Sequence, residues 1–303
     1  MDEPIVQGIQ QLAKVQEIQG SLYGYVPTRW ICILFVVLYA VSTALHTGQA
    51  IWSRIWWLFP TIVCGGILEI LGWAGRLWSS SSPGLLNPYL MQICCTILAP
   101  SFMTAANFVI LGKMIERLGY QYSRLSPNLY TVVFVSCDII ALVVQAVGGA
   151  KASLAVQLMN EDPEKGAKIM VGGIIFQMAA ITIYTLLAAE FLLRYIFDRP
   201  VRQIVSSDSE TARPKPQLDT NITLMILGLS ISTLFIYIRS IYRTIELLDG
   251  WTGSIITNQL YFNVLEGMPI IVAMYAINIF HPGFLLYPVK SARNVSLDEK
   301  RTL

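Results

Sequence analysis

The stretch Trp56-Trp-Leu-Phe-Pro-Thr-Ile-Val-Cys-Gly-Gly-Ile-Leu-Glu-Ile-Leu-Gly-Trp-Ala-Gly-Arg-Leu77 decides the fold. As a helix it is long enough to cross a hydrocarbon core of roughly 30 Å, yet it carries Glu69 and Arg76. Six more apolar stretches follow the same reading, at 30–47, 89–115, 130–150, 169–195, 222–238 and 260–280. Each runs for about 17–27 residues, which suits a tilted spanning helix. The expected fold is therefore all-α: a polytopic membrane protein with a bundle of seven transmembrane helices.

Composition agrees. Hydrophobic residues make up 54% of the 303-residue chain and charged residues 13%, about half the charged share of soluble domains. The spans use nearly all the length and leave no room for a soluble catalytic domain. A net charge of +2 is too small to suggest nucleic acid as a partner. The first 28 residues are polar and mixed in charge, without the short apolar core of a cleaved signal peptide, so span one is expected to act as its own insertion signal. All five cysteines (Cys32, Cys64, Cys94, Cys95, Cys137) fall inside spans and read as packing residues rather than a disulfide framework.

Orientation follows from Lys and Arg. With the N-terminus outside, the odd-numbered loops and the C-terminal tail hold the majority of the 21 basic residues, among them Lys113, Arg117, Arg124, Arg194 and Arg199. The positive-inside rule then predicts an extracellular N-terminal tail at 1–28, a membrane domain at 29–283 and a cytoplasmic tail at 284–303. Lys151, Lys165 and Lys168 on the other side narrow the margin. The sequons at Asn221 and Asn294 would be cytoplasmic and unmodified. Segment 198–220, rich in Ser, Pro and charge, reads as a flexible loop in which Ser206, Ser207 and Ser209 lie beside acidic residues.

A charge at the bilayer centre costs about 2.5–3.5 kcal/mol on insertion scales, so such residues normally face protein or water. Glu69, Trp73 and Arg76 are spaced i, i+4, i+7 and share one face of span two. They read either as a Glu–Arg contact locking the bundle or as the wall of a headgroup pocket. Asp138 and Gln145 share a face of span four, while Gln177 and Glu190 lie in span five. Pro100, between Gln92 and Asn107, should kink span three and free a carbonyl. Amides of this kind commonly join helices, whereas a buried Asp138 requires a cation, a proton or a substrate amine. Arg239, Arg243 and Glu246 repeat the i, i+4, i+7 spacing at the exit of span six, and Glu266 precedes Pro269 in span seven. Arg243 could bridge to Glu246 or Glu266 structurally, Glu266 could stay protonated, or the group could serve a function. His281-Pro-Gly283 closes the membrane part.

No phosphate-binding loop, metalloprotease helix or nucleophile elbow is present, and His46 and His281 lack metal-ligand spacing. The chain reads as a non-enzyme without cofactor or metal.

Taken in order, these motifs resemble the fungal RTA1-like family of seven-span lipid-translocating exporters. The resemblance rests on Tyr23-Gly-Tyr-Val-Pro27, Glu69-Ile-Leu-Gly-Trp-Ala-Gly-Arg76, Leu98-Ala-Pro-Ser-Phe-Met-Thr-Ala-Ala106 and Asp138 through Gly149. It continues with Gly172-Gly-Ile-Ile-Phe-Gln177, Arg239-Ser-Ile-Tyr-Arg-Thr-Ile-Glu246, Glu266-Gly-Met-Pro269 and His281-Pro-Gly283. It implies an N-outside topology and a plasma-membrane or endomembrane location. It also implies membrane lipids or lipophilic small molecules as partners, and a role in moving or resisting sphingoid long-chain bases, sterol-like toxins or drugs. Members often carry an acidic residue and a tyrosine where this chain has Gln259 and Asn263. If those positions bind substrate amines, the preferred substrate here differs. A seven-span receptor for lipid or drug stress is the alternative, although Gly112-Lys-Met-Ile-Glu-Arg117 lacks the Asp/Glu-Arg-Tyr element of G-protein-coupled receptors.

Overall fold

The computed structural model describes residues 21–158, 163–201, 219–250 and 253–287. The serine-containing part of the long loop, Asn294 and the rest of the C-terminal tail from residue 288 lie outside them. Seven spans are present: Arg29–Ser53, Trp56–Ser79, Leu86–Leu118, Pro127–Ala152, Glu164–Ile196, Thr220–Leu248 and Gln259–Leu285. All seven hydropathy readings correspond to spans, and the helices run past the apolar windows because hydropathy falls before hydrogen bonding does. The largest overrun is in span six, which continues to Leu248 and carries Arg239, Arg243 and Glu246 within the bundle.

Consecutive spans pack as neighbours, span seven closes the ring against span one, and span three meets span six across the interior. Each span thus turns an apolar face outward. Val143, Leu186, Leu193 and Leu234 are among the exposed aliphatics that this leaves, the opposite of a soluble core and the arrangement a lipid solvent selects.

Two spans are not regular. Span two opens with a tight turn, Trp56–Leu58, and a π-helical turn, Phe59–Val63, which ends where the α-helix Cys64–Ser79 begins. Pro60 lies in that π turn and has no N–H to place in an α ladder. In span seven the π-helical turn Phe262–Gly267 precedes Pro269 in the helix Met268–Ile279. Gly267 is required there. The Phe35 and Trp73 rings, stacked with centroids 3.9 Å apart, lie so close that a Cβ would collide with both. The Gly267 carbonyl accepts from Tyr39 Oη at 2.7 Å.

The two halves of the bundle differ. Toward the side opposite the N-terminus, the core is aromatic: Phe108, Phe134 and Tyr184 form a mutual triad with centroids 4.6–5.5 Å apart. Tyr122 and Tyr195 meet edge to face beyond it. The half nearer the N-terminus holds most of the buried charge.

Candidate functional site

Span three is helical throughout, through Pro100. Pro100 has no N–H, so the carbonyl of Thr96, four residues earlier, loses its helical donor. Arg239 Nη2 supplies it from span six at 2.7 Å. The same nitrogen pairs with Glu266 Oε1 of span seven at 2.6 Å, with both side chains buried. One guanidinium therefore ties spans three, six and seven together, at the π-helical turn that sets the register of Glu266.

One turn along span six, Arg243 Nη1 meets Glu246 Oε2 at 2.6 Å, and Tyr242 Oη donates to Glu246 Oε1 at 3.1 Å. Of the two expected carboxylate partners for Arg243, the structure selects Glu246, while Glu266 goes to Arg239. The expected Glu69–Arg76 contact is absent. Seven residues along a helix is about 10 Å of rise, so sharing a face does not bring the two together. Arg76 is fully buried and instead donates to Tyr25 Oη at 2.5 Å, under the Phe262 ring, whose centroid is 4.1 Å away. The rings of Tyr23, Tyr25 and Trp73 complete a cage around it. Glu69 is 2% exposed and forms no ion pair among the described residues.

Tyr23 and Tyr25 belong to a strap across this end of the bundle. Leu22 N donates to Pro83 O, and Tyr23 Oη donates to Ser79 Oγ at 3.1 Å. Burial pushes the Tyr23 phenol up to about 12.

Three cavities open in the half nearer the N-terminus. The first, about 20 Å³, is lined by Tyr23, Tyr25, Arg76, Gln92, Arg243, Glu246 and Phe262 together with neighbouring apolar residues. A second of about 10 Å³ lies among Gln145, Gln177, Arg239, Ser240 and Arg243. Each has room for about one water. The third, about 260 Å³, is apolar apart from Gln145 and opens between spans three and four. Gln145 Nε2 donates to Gln177 Oε1 at 2.9 Å, and Gln177 Nε2 donates to Ser101 Oγ at 2.7 Å. Several buried polar atoms here make no protein hydrogen bond: Arg76 Nε and Nη1, Arg239 Nε, Arg243 Nε, Glu266 Oε2 and Gln145 Oε1.

The structure thus gathers Arg76, Arg243 and Glu246 around one cavity, and Gln145, Gln177, Arg239 and Arg243 around another, with Glu266 joined through Arg239. The remaining expected site residues lie apart. Asp138 meets only Thr104, whose Oγ1 is 2.7 Å from Oδ2, and no cation pairs with it among the described residues. Gln259 accepts from Thr28 Oγ1 at 3.1 Å at the rim, and Asn263 is buried with Oδ1 unpaired. His281 is at the far end of span seven, fully buried, with Nδ1 accepting from Gly283 N. Glu190 is a surface residue of the far side, held by Arg124 and Arg194. Asn107 joins spans three and six through Ser232 and Thr233, as an interhelical amide should.

Sequence reasoning missed Tyr25, Phe262 and Tyr242 as partners of the buried charges. It also left the carbonyl freed by Pro100 unassigned, although a proline at position i identifies position i−4.

Comparison with known proteins bears on what this site serves. The Sphingoid long-chain base transporter RSB1 of Saccharomyces cerevisiae is 32% identical over 286 residues, covering 88% of this chain and 74% of the relative. Protein RTA1 of the same yeast is 26% identical, covering 86% of each chain. Protoporphyrin uptake protein 1 is 23% identical, covering 85% of this chain and 91% of the relative. No solved structure matches. The family model described as RTA1 like protein matches residues 62–288, which takes in most of span two, all of spans three to seven and every buried charge described above. The chain belongs to the RTA1-like family.

Proposed function

We propose that this protein moves amphipathic molecules across a membrane, and that its substrates are sphingoid long-chain bases or lipophilic compounds of similar chemistry. The observation that carries the reading is the set of unpartnered atoms on Arg76, Arg239 and Arg243, which line cavities inside a lipid-embedded bundle, and on Glu266, which is paired to Arg239. An unmet buried donor or acceptor costs about 1–3 kcal/mol, so these atoms have free hydrogen-bonding capacity for a polar head. A long-chain base carries an ammonium and hydroxyls. Glu266 Oε2 would accept from the ammonium, and the guanidinium N–H groups would donate to the hydroxyls. The costly step in crossing hydrocarbon is desolvating that head, and a bundle that replaces its hydration lowers the barrier. The relatives named for a long-chain base and for protoporphyrin both point to amphiphiles.

Because the two polar cavities hold about one water each, a head group reaches them only when spans three and six separate around Arg239. In this reading the N-terminal side faces outward, as the basic residues favour, and the plasma membrane is the expected location.

The test is transbilayer movement of a labelled long-chain base in proteoliposomes, with wild type set against Glu266→Gln. Movement that is lost in the variant at equal insertion supports the reading. Absence of movement by correctly inserted wild type overturns it and favours a receptor.

A further inference from the structure

The third cavity differs in kind from the two polar ones. It is a cleft on the flank of the bundle, walled by Leu90, Ile93, Cys94, Ile97 and Leu98 of span three and by Leu142, Ala146, Gly149 and Ala150 of span four, with Met170 beneath. Cys94 and Ala146 are exposed on the outer surface of the bundle, the surface that lipid would cover. At about 260 Å³ it exceeds the ~150 Å³ apolar cavity known to hold benzene. Its one polar lining residue, Gln145, is 4% exposed and also lines the cavity of Arg239 and Arg243. Ile97 is shared by the same two cavities, and Ile93 by the cleft and the Arg76 cavity. A single layer of side chains therefore separates the cleft from the buried charges.

The position of Gln145 is fixed by packing. Gly173 of span five lies against it, and a Cβ there would sit 2.8 Å from Gln145 Cγ and 3.0 Å from the Ala141 carbonyl. The amide nitrogen is committed to Gln177, which leaves Oε1 as a buried acceptor without a donor, on a residue that lines both the cleft and the Arg239 cavity.

We propose that this cleft is a lateral binding site for one alkyl chain of a membrane amphiphile, with a hydrogen-bond-donating head at Gln145. An apolar walled slot open to lipid fits a chain, and the unpaired buried acceptor on its one polar lining residue fits a hydroxyl or ammonium. A cleft of about 260 Å³ suits one chain better than the two of a diacyl lipid. The proposal rests on the translocation reading for its purpose, but binding can be tested without transport.

A long-chain base bearing a photoactivatable diazirine midway along its chain is incorporated into proteoliposomes with the full-length protein, and the crosslinked residues are mapped by mass spectrometry. Labelling should concentrate on spans three and four at Cys94, Leu98, Ala146 and Ala150. Ala146→Phe fills the cleft from its rim and should reduce that labelling to the non-specific level. Val143→Phe places the same ring at an exposed residue outside the cleft and should leave it unchanged. Gln145→Leu should abolish the preference for the base over an alkane carrying the same diazirine. Labelling spread around the bundle, or unaffected by Ala146→Phe, overturns the proposal, as does exclusion of the probe by a second copy seated over the cleft. Transport measured in the same vesicles judges the translocation reading separately.

Discussion

Pro100 and Arg239 act on the same carbonyl: the proline leaves the Thr96 oxygen without a helical donor, and the arginine supplies one at 2.7 Å from another span. Arg239 thereby has a structural partner and an ionic one in Glu266. Removing one member of a buried pair leaves the other charge uncompensated, at a cost of about 3–5 kcal/mol. Arg239→Gln should therefore lower thermal stability in detergent more than Arg239→Gln combined with Glu266→Gln does, as a double-mutant cycle would show. A double variant no more stable than the single would mean that the Thr96 bond, not the ion pair, dominates.

Gly267 is held against the stacked Phe35 and Trp73 rings. Gly267→Ala should cost about 1–3 kcal/mol through overpacking, and Phe35→Leu should recover part of the loss. Melting curves of the three proteins check this. An unchanged melting temperature in Gly267→Ala would mean that span seven shifts freely, which its bond to Tyr39 argues against.

Asp138 and Glu266 should respond differently to amide replacement. Thr104 Oγ1 lies 2.9 Å from the Ser101 carbonyl and 2.7 Å from Asp138 Oδ2. A hydroxyl has one hydrogen, so an N–H donated from position 138 completes the set. Asp138→Asn should keep both stability and transport near wild type, whereas Glu266→Gln loses transport. Equal loss in both variants would place Asp138 on the substrate path.

The strap at Tyr23 has a pH signature. Its phenol titrates at about 12 in the folded chain against an ordinary 10.0. Between those values the folded state keeps a proton that the released strap loses, so strap stability is full below about pH 10 and falls as pH rises toward 12. Limited proteolysis near the N-terminus should accelerate over that interval in wild type, and Tyr23→Phe should flatten the dependence. A profile identical in both proteins would assign the effect to another group.

Hydropathy was enough to find all seven spans, because each turns an apolar face to lipid. It ended span six early, since the averaged window falls at Arg239 while the helix continues to Leu248. Shared helical faces were legible from i, i+4, i+7 spacing, but spacing within one helix does not reveal which neighbour faces it. Arg76 therefore pairs with Tyr25 rather than Glu69, and Glu266 with Arg239 rather than Arg243. The flank cleft left no trace in the sequence, because small residues such as Ala146, Gly149 and Ala150 look the same whether they line a gap or fill an interface.

The aromatic triad of Phe108, Phe134 and Tyr184 lies in the core between the buried charges and the far side. On the proposed reading, a cargo crossing through the interior would have to displace these rings, whatever its head group. Selection and passage would then be physically separate steps: residues around Arg239 would govern which molecules compete, while the triad would set one common turnover rate for all of them.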